Sequence, residues 1–130
     1  MEEEQDLKDL AASFLIPFLK EDRKKVKMIK DVKRETKNGK EYKFDFLILD
    51  EELNEEIGVL CKDWNRSISV NVVNSFVKTI KNLDLSFGIM IADKFSGPAR
   101  VREENCDSLA LINRGQMINW LQLKEENLSL

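Results

Sequence analysis

Residues 44–49, Phe-Asp-Phe-Leu-Ile-Leu, are apolar at every position except Asp45. A strand with one face in water alternates polar and apolar side chains, whereas a strand that is apolar throughout needs cover on both faces. The run is also too short for a helix of ordinary length. It therefore predicts an interior strand of a sheet with helices on both sides, and it leaves Asp45 as the residue to be explained.

A second extended run precedes this strand, and Asn38-Gly39 lies between the two. In residues 26–33 apolar side chains alternate with mostly basic ones. Asn-Gly between extended runs is a strong hairpin signal, because both residues tolerate a positive φ. We therefore expect the first two strands to be antiparallel neighbours. An acidic turn then leads to a third strand over residues 56–62.

The chain after the third strand carries alternating helix and strand patterns. Apolar residues at helical spacing follow Ser69 and Asn71, either of which can serve as the N-cap. Residues 87–92 then form an apolar strand. A strand, a helix and a strand of these lengths predict a right-handed crossover with parallel strands. A short helix from about Ala99, a strand over residues 108–112 and a last helix complete the pattern.

The N-terminal segment predicts an amphipathic helix over residues 3–20. Its apolar residues recur at intervals of three and four: Leu7, Leu10, Ala11, Phe14, Leu15 and Phe18. Pro17 clashes with the preceding turn, so we expect a break between Leu15 and Pro17. Together the patterns predict one α/β domain over residues 1–130, with a core over residues 26–121. Its central mixed sheet of about five strands is flanked by helices.

Composition narrows the classes of protein that this chain can be. No apolar run approaches the roughly 20 residues of a membrane-spanning helix. The acidic start, Glu2-Glu3-Glu4, is unlike a secretory signal. We therefore expect a cytoplasmic protein with no membrane partner. Cys61 and Cys106 are interpreted as reduced core residues, because neither belongs to a paired metal motif.

The chain contains no histidine. This absence removes the usual general base of serine and cysteine hydrolases, and also the commonest ligand of transition metals. Any chemistry must therefore come from carboxylates, lysine and a hard cation such as Mg²⁺ or Mn²⁺.

Charge is unevenly distributed along the chain, although the net charge is −3. Residues 20–43 hold eleven Lys or Arg and five Asp or Glu, whereas residues 44–66 hold two basic and seven acidic residues. A local basic face can meet a phosphate backbone whatever the total charge, because nearby charges determine the local field. The alternative is a solvated charged surface.

Two polar residues interrupt the apolar pattern of the predicted sheet. Asp45 lies inside the second strand, and Lys62 ends the third. Because side chains alternate across a strand, Leu60 and Lys62 share one face of the third strand. Asp45 and Lys62 are either an ion pair between adjacent strands or parts of an inherited active site.

The order of these residues resembles the motif of the PD-(D/E)xK nuclease superfamily. That motif has an Asp on one strand of a hairpin, and an acid or glutamine, any residue and a lysine on the next. Here the pattern consists of Asp45 and the triplet Leu60-Cys61-Lys62.

Several segments are similar to the Mrr-like branch of that superfamily in particular. Residues 59–64 resemble its V-Q-C-K motif and the aromatic residue that follows. Residues 87–91 and 95–99 are similar to its apolar strand and its F-[ST]-x-x-A loop, and residues 109–121 to its closing strand and helix. The resemblance covers residues 26–121 in the expected order and implies a restriction-endonuclease-like fold.

The resemblance also implies roles for individual residues. Asp45 and the main-chain carbonyl of Cys61 would be metal ligands, and Lys62 would be the electrostatic catalytic group. Leu60 replaces the acid or glutamine of the motif and cannot bind a hard cation. The implied function is DNA binding, with hydrolysis of phosphodiesters by Mg²⁺ or Mn²⁺ weakened or lost. An inactive domain would need no cofactor.

Other residues could replace or supplement this set. Glu56 lies about 13 Å before Leu60 along the strand, at roughly 3.3 Å per residue, and some relatives use an acid of the first helix, here Glu21. The candidate DNA contacts are Arg66, Lys94, Arg100 and Arg102. The alternative function is a nuclease-fold scaffold that binds a protein partner or forms a homodimer.

Overall fold

The computed structural model describes residues 6–129 of the chain. In this range the chain forms α1 (Leu7–Leu19), β1 (Val26–Glu35), β2 (Glu41–Asp50), β3 (Glu55–Lys62), α2 (Val70–Asn82), β4 (Phe87–Ala92), α3 (Gly97–Glu104), β5 (Leu109–Asn113) and α4 (Arg114–Ser129). None of the helices in residues 6–129 is long and apolar enough to cross a membrane.

The strands form one mixed sheet whose spatial order follows the chain order, β1-β2-β3-β4-β5. The first three strands are antiparallel neighbours, whereas β3, β4 and β5 run parallel. α2 connects β3 to β4 and α3 connects β4 to β5, as expected for parallel neighbours. This mixed sheet with flanking helices confirms the predicted α/β, restriction-endonuclease-like fold class.

The sheet is covered on both faces, as the uninterrupted apolar run of β2 predicts. α1 and α4 pack on one face, where Phe14 and Phe46 are buried. α2 and α3 pack on the other face, where Leu47 and Met90 are buried. Consecutive residues of β2 therefore enter different cores, which we name the α1/α4 core and the α2/α3 core.

The alternation of side chains in the β1–β2 hairpin is broken at Asp31 and Asp45. Phe44 and Phe46 would share one face of a regular strand, yet Phe44 belongs to the α2/α3 core and Phe46 to the α1/α4 core. Asp31 of β1 has a φ of +52°, a conformation that Asp tolerates better than most residues. The register is the same on both sides of the break, so the two carboxylates belong to opposing positions.

The turn of this hairpin confirms the Asn38-Gly39 signal, with a difference in geometry. Gly39 has a φ of +84°, whereas Asn38 does not adopt a positive φ. The Gly39 N–H donates to the Thr36 carbonyl at 2.9 Å, and the Thr36 N–H donates to the Lys40 carbonyl at 2.9 Å. Residues 37–39 therefore form a three-residue loop with its glycine in the left-handed region.

One prediction about α1 was wrong, and another falls partly outside the described residues. In the described range the helix begins at Leu7, and the predicted start at residues 3–5 lies outside that range. It also continues through Pro17 without a break, and the Lys20 N–H donates to the Ile16 carbonyl at 3.0 Å beyond it. The proline removes a single main-chain donor close to the end of the helix, while the buried apolar stripe holds the helix on the sheet.

α2 and α3 both begin at serine N-caps. The Ser69 hydroxyl accepts a hydrogen bond from the first turn of α2, which decides between the two candidate caps in favour of Ser69 over Asn71. The Ser96 hydroxyl accepts a hydrogen bond from the Ala99 N–H at 3.2 Å. α3 therefore begins at Gly97, two residues earlier than predicted.

Candidate functional site

Asp45 lies where β2 changes face, and its carboxylate replaces part of the backbone ladder. The regular pairing of β2 with β3 ends at Phe46 and Val59. Beyond that point, Asp45 Oδ2 accepts a hydrogen bond from the Cys61 main-chain N–H at 2.7 Å. The side chain is about a quarter exposed. β2 and β3 thus lie side by side as predicted, and the aspartate contacts the strand that carries Lys62.

The second carboxylate oxygen of Asp45 faces α1. Lys8 Nζ lies 3.7 Å from Asp45 Oδ1, and it also donates a hydrogen bond to Asp31. The hydrogen bond to Asp31 is the largest cause that raises the pKa of Lys8. The two carboxylates at the break of the hairpin therefore share one charged ammonium group.

Leu60 lines the same depression as Asp45 but offers no ligand. This depression of about 210 Å³ is lined by Asp31, Asp45, Leu60 and residues beside them on β1 and β2. The Leu60 side chain packs against the α2/α3 core. The position that holds an acid or glutamine in the nuclease motif is therefore hydrocarbon.

Lys62 lines an adjoining depression of about 160 Å³ beneath α2. The two depressions share Phe44 and Leu60. Leu60 and Lys62 therefore lie on the same face of β3, as the alternation predicts. In the described part of the chain no ion pair joins Asp45 to Lys62, so the alternative of a simple ion pair is not what the structure shows.

Trp64 holds two cations beside this depression. Lys62 Nζ lies 5.2 Å from the centroid of the Trp64 ring, and Arg66 Cζ lies 4.8 Å from it. Both distances are within the range of a cation–π interaction. Arg66, one of the predicted DNA contacts, is therefore positioned next to Lys62.

The described side chains do not supply the ligand set of a divalent cation. Mg²⁺ and Mn²⁺ prefer about six oxygen ligands, including carboxylates. No group of three or more Asp, Glu, His or Cys residues among residues 6–127 is placed to hold a metal ion. The predicted set offers the Asp45 carboxylate and the Cys61 main-chain carbonyl, and the depression adds one further carboxylate, Asp31, which already accepts a hydrogen bond from Lys8. These oxygens do not fit such an ion.

Neither carboxylate considered as a replacement is near Asp45. Glu56 pairs with Arg34 on β1. Glu21 lies beyond the C-terminal end of α1 and is 3.9 Å from Lys124 of α4. The α1 side chain that reaches Asp45 is Lys8, which has the opposite charge.

Cys61 has a side chain on the opposite face of β3 from Leu60. It packs against the α1/α4 core. Burial raises the pKa of the Cys61 thiol to about 12, and the Asp45 carboxylate contributes to the same increase. Cys61 and Cys106 are both free and half-buried, in agreement with their interpretation as reduced thiols.

A larger groove runs between the β1–β2 hairpin and α2. Its volume is about 950 Å³. Its charged lining consists of four lysines and two acids: Lys37, Lys40, Lys78, Lys81, Glu35 and Asp84. All four lysines are exposed. We call this surface the basic groove.

The basic groove continues into the depression at Lys62. The two share Tyr42 and Thr79 in their linings. Along α2, a further depression of about 420 Å³ shares Lys78 with the groove and adds Arg102. A path of positive charge therefore extends along α2 to the depression that Lys62 lines.

The four predicted DNA contacts lie in different environments. Arg102 lines the extension of the groove, and its Nε donates to Asn74 at 2.9 Å. Arg66 stacks on Trp64 and Lys94 is exposed after β4.

Arg100, the fourth predicted contact, is bonded to other residues of the protein through its guanidinium group. It donates to Glu103, to Gln116 and to the Leu111 carbonyl. Its guanidinium also lies over the Phe95 ring. These contacts join α3 to β5 and α4.

The lysines of the basic groove were not predicted as a site. Lys37 and Lys40 belong to the basic stretch of residues 20–43. Lys78 and Lys81 lie one turn apart on the exposed face of α2. The signal was present as an i, i+3 pair of lysines, but the sequence pattern does not show that this face of α2 turns toward the hairpin.

The sequence and the structure resemble known proteins. Residues 20–121 match the family model Mrr_cat, which is described as restriction endonuclease. No curated protein matches the sequence.

Two solved structures share the fold. A protein of unknown function, AF1548, superposes with a TM-score of 0.62 at 15% identity, over 83% of this chain and 58% of that one. A repair endonuclease from Pyrococcus abyssi superposes with a TM-score of 0.54 at 17% identity, over 88% of this chain and 48% of that one. The matched region thus spans about half the length of each relative.

Proposed function

This chain belongs to the restriction endonuclease family of the Mrr_cat model, and we propose that it binds DNA in the basic groove without cleaving it by itself. The observation that carries the proposal is that the basic groove opens into the depression lined by Lys62 and Leu60. The lysine of the nuclease motif thus adjoins a surface with the charge to hold a phosphate backbone.

The charge of the groove comes from two elements that face each other. Lys37 and Lys40 belong to the β1–β2 hairpin, and Lys78 and Lys81 belong to α2. Charges in water act over a screening length of about 10 Å at 0.1 M salt. The four lysines therefore determine the field in the groove, and the net charge of −3 does not prevent DNA from binding there.

We expect cleavage to be lost because too few free oxygen ligands surround Asp45. A metal ion that activates water needs several oxygen ligands and an open coordination position. Leu60 supplies no oxygen. In Asp45, Oδ2 already accepts the Cys61 N–H and Oδ1 already faces the Lys8 ammonium. Lys62 keeps an ammonium group directed to the cleft, where it would contact a phosphate of bound DNA.

A salt titration of DNA binding tests the proposal. A fluorescent duplex is titrated with the wild type and with the double variant Lys78→Glu, Lys81→Glu at several salt concentrations. Each lost phosphate contact should reduce the slope of log K against log salt by about 0.9. We therefore expect a weaker affinity and a slope smaller by about 1.8 for the double variant.

The matched control is Lys24→Glu, Lys25→Glu, which makes the same change of charge at exposed positions at the far end of β1 from the hairpin turn. Equal losses in the two double variants would refute binding in the basic groove. Incubation of plasmid DNA with Mg²⁺ or Mn²⁺ tests the second half of the proposal. We expect no nicking, and nicking that disappears in Lys62→Ala would show that cleavage is retained.

The scaffold alternative is not favoured by the exposed apolar residues. The large ones among the described side chains lie on different elements: Ile29, Leu53, Val101, Ile118 and Leu123. Ile118 and Leu123 share α4, but five residues of helix separate them by more than a quarter turn. No one docking surface stands out in residues 6–127.

A further inference from the structure

The environment of Asp45 accounts for both of its carboxylate oxygens. Oδ2 accepts the Cys61 N–H at 2.7 Å. Oδ1 faces Lys8 Nζ at 3.7 Å. A divalent cation bound at Oδ1 would therefore meet Lys8. Such an ion would lie next to a positively charged group.

We propose that the Lys8 ammonium takes the place of the divalent cation in this cleft, so that one of the two negative charges of the Asp31–Asp45 pair is balanced by the chain itself and no metal binds. The inference concerns metal binding and does not depend on whether the basic groove holds DNA. It adds to Leu60 a second, independent obstacle to a metal centre.

The ammonium is held in position from two directions. The flanking residues Leu7, Leu10 and Ala11 of α1 are buried in the α1/α4 core, so the backbone at Lys8 is fixed on the sheet. The hydrogen bond to Asp31 then holds the other end of the side chain. Lys8 Nζ also lies 6.0 Å from the centroid of the Phe46 ring. The ammonium therefore lies between the two carboxylates.

The charge of Lys8 persists at neutral pH. A lysine ammonium is charged at neutral pH, and Lys8 Nζ lies against both Asp31 and Asp45. Two carboxylates on opposing strands would otherwise repel each other. An ammonium between them reduces that repulsion, as a metal ion does in a carboxylate cluster, although it carries one positive charge rather than two.

Removal of the ammonium should therefore expose a latent site. Asp31, Asp45 and position 60 line one depression, and Lys8 contacts Asp45 from α1. Lys33 and Lys43 also line the depression, but both are exposed and both are unchanged in every comparison below. A glutamate at position 60 would add a third carboxylate there. With Lys8 neutralised, these oxygens could take one Mn²⁺; with Lys8 present, repulsion between the ammonium and the ion should keep the affinity low.

Mn²⁺ alone is the probe, and the free ion is measured by electron paramagnetic resonance. The variants are Leu60→Glu, Leu60→Glu with Lys8→Met, and Leu60→Glu with Lys124→Met. Lys124 is the control. It is an exposed lysine that also pairs with a carboxylate, Glu21, which lies just after the C-terminal end of α1. Methionine keeps the length of the side chain and removes the charge.

We expect no saturable binding by the wild type. Leu60→Glu with Lys8→Met should bind one Mn²⁺ at least about tenfold more tightly than Leu60→Glu, a difference that corresponds to roughly 1.4 kcal/mol. Leu60→Glu with Lys124→Met should behave as Leu60→Glu. Equal affinity of Leu60→Glu with and without Lys8→Met would overturn the proposal.

A second pair of variants covers the case in which a charged residue at position 60 prevents folding. Leu60→Gln supplies an uncharged oxygen and is compared with and without Lys8→Met. Tighter Mn²⁺ binding on removal of Lys8 again supports the inference, and unchanged binding contradicts it. Retention of DNA is measured separately, so its loss would refute the proposed function without affecting this result.

Discussion

Asp50 is buried at the end of β2, where its carboxylate is held by three donors. It accepts hydrogen bonds from the Leu53 N–H at 2.9 Å, the Glu52 N–H at 3.1 Å and Arg23 Nη1 at 2.7 Å. The Leu53 N–H is the largest cause that lowers the pKa of Asp50, and Arg23 contributes to the same direction. A single carboxylate thus fixes the turn between β2 and β3 and the segment after α1.

This arrangement predicts a loss of stability in acid. The folded pKa of Asp50 lies below its unfolded value, which is about 3.9. Its contribution is therefore complete above that value and is lost as the pH falls through the folded pKa. Asp50→Asn should have a lower urea midpoint than the wild type at pH 7, and the difference should shrink below about pH 4.

Urea unfolding at a series of pH values measures this difference. Glu51→Gln is the control, because Glu51 is exposed and neighbours Asp50. It should unfold at nearly the wild-type midpoint throughout. A difference for Asp50→Asn that is the same at pH 7 and pH 3 would show that the charge of Asp50 does not stabilise the fold.

At the scale of elements, the strands and helices could be predicted from their periodicity. The apolar run of β2 indicated cover on both faces, and the glycine at position 39 indicated the hairpin. The reversal of faces at Asp45 could not be predicted, because Tyr42, Phe44 and Phe46 alternate as residues of one face would. The contact of Lys8 with Asp45 was also hidden, since it joins a helix and a strand that are distant in sequence.

The contact of β4 with α2 gives a prediction about packing. A Cβ at Gly88 would lie 2.7 Å from Ile80 and 2.8 Å from Phe76, both on α2. Gly88→Ala should therefore push α2 away from the sheet and destabilise the fold by about 1–3 kcal/mol. Equilibrium unfolding in urea measures the loss.

Gly97→Ala is the matched control for this change. A Cβ at Gly97 would have no neighbour within 4 Å, and the residue begins α3 behind its serine cap. The substitution should leave stability unchanged or raise it slightly. If Gly88→Ala proved as stable as Gly97→Ala, the close approach of α2 to β4 would not exist in solution.

At the scale of the whole molecule, the two faces of the sheet supply different charged groups near Asp45 and Lys62. The α1/α4 face supplies Lys8, which contacts Asp45 where the hairpin breaks. The α2/α3 face supplies the basic groove and the depression at Lys62. The charge that balances the aspartates and the charge that faces DNA thus come from opposite sides of one sheet.

This division predicts that DNA binding does not require a divalent cation. The affinity of the wild type for a duplex should not fall when EDTA replaces Mg²⁺ at matched ionic strength, because the positive charge of the groove comes from lysine side chains. It should fall as monovalent salt rises. Fluorescence anisotropy measures both dependences. Loss of binding in EDTA would mean that a metal ion takes part in holding DNA.

The two tryptophans occupy places with different chemical surroundings. Trp120 packs edge-on against Phe14 and Phe18, with ring centroids 5.5 and 5.8 Å away. Trp64 lies within cation–π distance of Arg66 and of Lys62, which lines the depression beneath α2. The emission of the first indole therefore reports whether the aromatic cluster is intact, and that of the second reports what enters the cleft. The chain carries two intrinsic optical probes that single Trp→Phe exchanges would separate.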